Sequence, residues 1–96
     1  MGRSRKGNVR RRRRREEAIN VCEKRHGYFP KVFVWRGSRY NVRAVERCWT
    51  VARRSLRSEV QQLRFRVRCA EGTFEVYQDL KGNTWHLAKA PASLWA

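Results

Sequence analysis

The stretch Leu63-Arg64-Phe65-Arg66-Val67-Arg68-Cys69 alternates apolar and cationic side chains. A period of two predicts a β-strand, because successive side chains of a strand point to opposite faces of its sheet. One face of this strand is therefore expected to be buried and the other to be solvated. This segment indicates a β fold, and the residues on both sides of it extend the same pattern.

Two more strands are predicted on the C-terminal side, over residues 74–79 and 84–89. Turn-forming residues precede each of them, at 70–73 and 80–83. The same alternation places four large apolar side chains on the inward face of these two strands, namely Phe74, Val76, Trp85 and Leu87.

The three arginines of the alternating strand lie on its solvated face. If inward residues pair with inward ones, the opposite neighbours are Glu75 for Arg68, Tyr77 for Arg66 and Asp79 for Arg64. Two of these pairs would be ion pairs, each stabilising the sheet by roughly 0.2–1 kcal/mol. Arg66 has no acidic neighbour in this register to neutralise its charge. Together with Tyr77 it could contact a phosphate and stack on an unpaired base.

A β-hairpin is predicted upstream, where Gly37-Ser38 separates two runs of alternating apolar residues. Glycine in the first position of a two-residue loop indicates a type II′ turn. That register places Trp35 opposite Tyr40 and Phe33 opposite Val42, all on one side of the sheet.

The rest of this region is predicted in two parts. Residues 45–51 extend or bend the second strand of the hairpin, with Trp49 inward, and residues 52–62 form a long loop or a short helical turn. The predicted core consists of the large apolar inward residues: Phe33, Trp35, Tyr40, Val42, Trp49, Phe65, Val67, Phe74, Val76, Trp85 and Leu87.

These segments predict a mainly β fold, a small curved antiparallel sheet or partly open barrel of about five strands. A basic arm and a short N-terminal helix precede it. Arg, Glu and Ala favour a helix from Arg10 to about His26, which Gly27 and Pro30 would end. The predicted division is residues 1–26 for arm and helix, and 27–96 for the β domain.

The arm carries six consecutive arginines, Arg10 to Arg15. The formal net charge of the chain is +16, with +9 in residues 1–15, −1 in 16–26 and +8 in 27–96. Of the 24 basic residues, 19 are arginine, whose planar guanidinium binds phosphate through two hydrogen bonds and stacks on bases. This composition indicates a polyanion partner, and nucleic acid in particular.

The function expected from the sequence is sequence-nonspecific nucleic-acid binding, without enzymatic activity. A protein-binding adaptor that uses a strand edge or Trp95 is one alternative, and a ribosome-associated RNA-binding small protein is the other. The choice between DNA and RNA stays open. The candidate contact residues are Arg10, Arg11, Arg12, Arg13, Arg14, Arg15, Arg43, Arg47, Arg53, Arg54, Arg57, Arg66 and Tyr77.

The sequence contains no clear motif for a metal site, for catalysis or for membrane insertion. Cys22, Cys48 and Cys69 lack the paired spacing of a structural zinc site and are expected to be buried thiols. No phosphate-binding loop, nucleophile elbow or metalloprotease motif occurs, so no cofactor and no metal are expected. No apolar run has the length of a membrane span or a signal peptide, which makes the cytoplasm the expected location.

Three motifs resemble a small bacterial domain of unknown function. They are W-R-G-x-x-Y-x-V at residues 35–42, Y-x-D-L at 77–80 and W-x-L at 85–87. The resemblance covers residues 30–89. Members of that family occur as short proteins or beside Y-family translesion polymerase homologues. The resemblance therefore implies an accessory role near DNA replication or repair, and it implies no catalytic residues.

Overall fold

The computed structural model describes residues 16–56 and 59–95. They form six strands, β1 (Glu17–Arg25), β2 (Phe29–Trp35), β3 (Ser38–Arg54), β4 (Glu59–Cys69), β5 (Gly72–Asp79) and β6 (Thr84–Lys89), followed by a short 3-10 helix (Ala92–Leu94). The strands pair antiparallel in chain order, and β1 also pairs with β6, which closes the sheet into a barrel. The predicted mainly β class is confirmed, with complete closure and one strand more than expected.

The extra strand is β1, and the prediction of a helix is wrong for residues 17–25. Ile19 and Val21 pack against the core, whereas Ala18 and Asn20 are exposed. Pairing with both β2 and β6 outweighs the helix propensity of this segment. The barrel thus starts at Glu17, upstream of the predicted 26/27 boundary. Arg10 to Arg15, which were also part of the predicted helix, lie outside the described residues.

The hairpin between β2 and β3 has a different turn from the predicted one. Arg36 and Gly37 both have left-handed backbone angles, with φ of 53° and 80°, as a type I′ turn requires. Phe33 therefore pairs with Tyr40, two positions away from the predicted register. A shift of two preserves the faces of both strands, so the predicted inward residues are still inward.

The loop predicted for residues 52–62 is also wrong. β3 runs for 17 residues to Arg54, and β4 begins at Glu59, so the two strands form a long ribbon. Their last described pairs join Arg53 with Val60 and Arg54 with Glu59. Polar side chains on both faces of this ribbon hide the period of two that marks a half-buried strand.

The core fills the barrel with aromatic and branched side chains. Ten of its residues are buried in one cluster: Phe33, Trp35, Tyr40, Phe65, Val67, Cys69, Phe74, Val76, Trp85 and Leu87. Nine of the eleven predicted core residues belong to it, Val42 packs against it, and Trp49 is outside it. The C-terminal Leu94 and Trp95 also pack against the cluster, and the Trp95 ring lies 5.1 Å from that of Trp35.

Candidate nucleic-acid interface

A row of four side chains crosses the outer face of the barrel in register. Trp49 of β3 pairs with Arg64 of β4, Arg64 with Tyr77 of β5, and Tyr77 with His86 of β6. Directly opposite residues point to the same side of a sheet, and Arg64 alternates with the buried Phe65. All four therefore lie on the side away from the core, and we call them the aromatic row.

The members of the aromatic row contact one another closely. The Arg64 guanidinium lies 4.5 Å from the centre of the Tyr77 ring, and the His86 ring stacks on Tyr77 at 5.0 Å. Arg47 lies 4.7 Å from the centre of the Trp49 ring. Tyr77 is only 8% exposed although it is on the outer face, and its contacts with Arg64 and His86 contribute to that burial.

Two irregularities of β3 bring Trp49 into this row. Register shifts against β4 occur between Val42 and Ala44 and between Val45 and Arg47. Each bulge adds one residue to β3, so the two together shift its register against β4 by two positions and leave Trp49 on the same face as Arg47. The predicted inward position of Trp49 is wrong, because Cys48 rather than Trp49 lies opposite the buried Phe65.

A second row runs beside the first and carries most of the local charge. Arg47 pairs with Arg66, Arg66 with Glu75, and Glu75 with Lys89. Glu75 is 8% exposed and accepts a hydrogen bond from Arg64 at 3.1 Å. Within residues 16–56 and 59–95, Arg47 and Arg66 have no carboxylate within 4.0 Å, so the second row keeps a positive surplus.

The ion pairs differ from those predicted, because β4 and β5 are also shifted by two. Arg66 faces Glu75, and Arg64 faces Tyr77. The pairs Arg64–Asp79 and Arg68–Glu75 and the pairing of Arg66 with Tyr77 are therefore wrong. Arg68 instead pairs with Glu46 of β3, at 2.7 Å. The alternation of β4 determined the faces, but the turn at Ala70–Glu71 determined the register.

The first described residue of the chain contacts the aromatic row. The Tyr77 hydroxyl donates a hydrogen bond to Glu16 Oε1 at 3.0 Å. Burial and this neighbouring carboxylate raise the pKa of Tyr77 to about 12, so the phenol stays protonated as a donor at neutral pH. Glu16 directly follows Arg15, and this contact therefore fixes the point where the arginine run joins the barrel.

The structure brings only some of the predicted contact residues together. Arg47, Arg66 and Tyr77 belong to the two rows. Arg53 and Arg54 lie at the far end of the β3–β4 ribbon, where Arg54 is 3.7 Å from Glu59. Arg43 lies before the second bulge, near Arg25 and Lys31. The others, Arg10, Arg11, Arg12, Arg13, Arg14, Arg15 and Arg57, are outside the described residues.

Three residues of the outer face were not among the candidates. Trp49 had been placed in the core, Arg64 in a structural ion pair, and His86 had no predicted role. The alternation of β5 and β6 could place Tyr77 and His86 on the same outer face, but not opposite each other. The pairing of Trp49 with Arg64 depends on bulges and register, for which the sequence carried no clear signal.

A further cluster fastens the ends of the barrel. Glu17 accepts hydrogen bonds from the Trp35 indole at 2.9 Å and from Arg36 at 2.9 and 2.6 Å. The Arg36 guanidinium lies 5.0 Å from the Trp35 ring and 5.3 Å from the Trp95 ring. The hydrogen bonds from Arg36 and then from Trp35 lower the pKa of Glu17. Because these contacts join β1, the β2–β3 turn and the C-terminus, their role is structural.

The cysteines are free thiols with different surroundings. Cys69 is buried, and burial together with Glu71 raises its pKa to about 11. Cys22 and Cys48 are exposed, so the expectation of three buried thiols is wrong for both. In the part of the chain that the structure describes, no group of three or more His, Cys, Asp or Glu side chains could hold a metal ion. No helix in that same part is long and apolar enough to cross a membrane.

The fold and the outer face define the class of this protein. It is a small, closed, six-stranded antiparallel barrel with a cationic and aromatic face. The chain belongs to the family described as Domain of unknown function (DUF6504), which matches residues 5–91. No curated protein and no solved structure matches the chain.

Proposed function

We propose that this protein is a non-enzymatic accessory protein that binds nucleic acid without strong sequence preference. Arg10 to Arg15 supply the main phosphate contacts, and the outer face with its two rows supplies secondary ones. The observation that carries the proposal is the hydrogen bond between Tyr77 and Glu16. It holds Glu16, the residue that directly follows Arg15, beside the aromatic row, which supports contact of the arm and this face with one polyanion.

The physical basis of binding is the release of counterions from the phosphate backbone. A run of six arginines has enough charge for several phosphate contacts, and Arg47 and Arg66 add charge next to the root of the arm. Phosphate contacts carry little sequence information, which is why the proposal is one of nonspecific binding. Trp49, with Arg47 against its ring, adds a surface on which an unpaired base could stack.

The setting of this activity is also part of the proposal. We place the protein in the cytoplasm. Its motifs resemble the domain that occurs beside Y-family polymerase homologues, which supports a role near DNA replication or repair. The ribosome-associated alternative has the same arm and would differ by preferring RNA. The adaptor alternative relied on a strand edge or on Trp95. Since β1 pairs with β6 and Trp95 packs on Trp35, both features already have structural partners.

Fluorescence-anisotropy titrations over a salt series would test the proposal. The full chain is titrated against single-stranded DNA, duplex DNA and structured RNA, and compared with a chain in which Arg10 to Arg15 are all alanine. If the arm neutralises about five phosphates of a duplex, log K should fall with log salt at a slope of about −4 to −5. The alanine variant should lose most of that slope.

A lysine variant is the matched control. Replacing Arg10 to Arg15 by lysine keeps the charge, so the salt slope should stay close to that of the natural arm. A slope that is unchanged in the alanine variant would exclude the arm as the main contact. Weak binding of the full chain to all three polymers at physiological salt would overturn the proposed function and favour the adaptor.

A further inference from the structure

A cationic notch opens in the barrel wall where β2 and β3 part. The pairing of β2 with β3 runs from the turn only as far as Val32 and Asn41. From Val42 onward β3 pairs with β4, and before Val32 the strand β2 pairs with β1. The two backbones therefore diverge at Lys31 and Val42, and a cavity of about 250 Å³ lies between them.

The lining of this notch combines three cationic side chains with apolar ones. Arg25, Lys31 and Arg43 line it together with His26. Lys31 lies 3.9 Å from Glu23, whereas Arg25 and Arg43 have no carboxylate within 4.0 Å among residues 16–56 and 59–95. The other residues that line the notch are apolar, namely Phe29, Pro30, Val42, Ala44 and Val45.

An aromatic pair stands at the β1–β2 turn beside the notch. Tyr28 is 46% exposed, and its ring lies 4.3 Å from that of Phe29. Phe29 in turn contacts the core through Phe65, at 5.8 Å, so the pair rests on the rigid barrel. The exposed Tyr28 ring could therefore hold a base by stacking without first being ordered.

We propose that the notch binds one nucleotide of a single strand of nucleic acid. The phosphate lies between Arg25 and Arg43, and the base contacts the Tyr28–Phe29 pair. The cavity is small for a drug-sized ligand but suits a single nucleotide unit. A base inside a duplex is stacked on both of its faces and paired along one edge. Only an unpaired base could therefore enter the notch. This inference rests on the proposed nucleic-acid binding and adds a preference for single strands.

A charge-matched pair of variants tests the phosphate contact. Binding of fluorescein-labelled dT10 and rU10 to the full chain is compared for Arg25→Gln/Arg43→Gln and for Arg39→Gln/Lys81→Gln, which loses the same charge outside the notch. The notch variant should bind at least about tenfold more weakly, since two charge-assisted hydrogen bonds are lost. The control should change by less than about threefold, as expected for a general loss of potential. Equal effects of the two variants would overturn the proposal.

A substitution of Tyr28 and a map of amide shifts complete the test. Tyr28→Ala should weaken dT10 binding about fivefold or more, because a stacking partner is lost. In heteronuclear NMR spectra of the full chain, dT10 should shift the amides of Phe29, Lys31, Arg43 and Val45, and a duplex should not. Shifts confined to the two rows would overturn the notch but leave the proposed function standing. Failure of the full chain to bind any polymer would overturn both.

Discussion

The Tyr77 hydroxyl donates a 3.0 Å hydrogen bond to Glu16 across 61 positions of sequence. One partner lies near the C-terminal end of β5, and the other directly follows the run of six arginines. A single side-chain contact thus connects the arm to the outer face of the barrel. The proposed function draws on this connection, because it holds Glu16, the residue next to the arginine run, at the cationic outer face.

Tyr77→Phe should remove the hydrogen bond to Glu16 and leave the rest of the structure intact. The ring keeps its contacts with Arg64 and His86, and only the hydrogen bond to Glu16 is lost. Since Glu16 is exposed, the expected loss in the free energy of unfolding is about 1 kcal/mol. Affinity for a short oligonucleotide should fall about two- to fivefold, because a less constrained arm loses more conformational entropy on binding. Urea unfolding and anisotropy titration measure the two effects, and an unchanged affinity would contradict a role for this contact in binding.

Glu75→Gln should strengthen nucleic-acid binding while it weakens the fold. Glu75 is the buried carboxylate of the outer face, between Arg64, Arg66 and Lys89. Glutamine preserves its shape and can still accept from Arg64, so the expected destabilisation is about 1–2 kcal/mol. The loss of one negative charge should raise affinity about threefold at low salt.

High salt provides the control for that experiment. If the gain is electrostatic, it should disappear at about 0.5 M salt, where charges are screened over a few ångströms. An unchanged affinity of a folded Glu75→Gln protein at low salt would show that the outer face does not contact the polymer.

Glu17 gives the barrel a predictable sensitivity to acid. Hydrogen bonds from Arg36 and Trp35 lower its pKa below the ordinary value of 4.5. A carboxyl with a lowered pKa in the folded state stabilises the protein above that ordinary value, and the stabilisation is lost as the pH falls through the folded pKa. The free energy of unfolding of the natural chain should therefore decrease below about pH 4.5 more steeply than that of Glu17→Gln. Equal slopes for the two proteins in urea titrations between pH 6 and pH 3 would contradict the role of Glu17.

The faces of the strands could be predicted from the sequence, but the registers and bulges could not. The alternation in residues 63–69 identified Phe65 and Val67 as inward, and both are buried. A hairpin register can shift by two without moving any side chain to another face, so hydrophobic pattern does not distinguish the options. The left-handed angles at Arg36, a residue type with no special preference for them, decided one of these registers.

The candidate site was predictable only in part for the same reason. Arg47, Arg66 and Tyr77 were expected to make contacts, and all three lie on one outer face. Trp49 follows Arg47 by two positions and shares its face, and the two bulges of β3 determine only that it lies opposite Arg64. The sequence of β1 contains Glu, Ala and Lys, which favour a helix in isolation, and only the open edges of β2 and β6 explain its extended form.

Gly72→Ala should be the most damaging small substitution at the end of the barrel. Gly72 has φ of 137°, and an added Cβ would lie 2.6 Å from Cγ and 3.3 Å from Cβ of Pro91, which leads into the C-terminal helix. Backbone strain and overlap together should cost about 2–4 kcal/mol in the free energy of unfolding. Gly82→Ala is the matched control, because the nearest atom is 3.8 Å away, and it should cost less than about 1 kcal/mol.

In Gly72→Ala/Pro91→Ala the Cγ atom is gone, so part of the loss should be recovered, as a positive coupling in a double-mutant cycle. Strictly additive effects would mean that Pro91 does not press on Gly72 in solution.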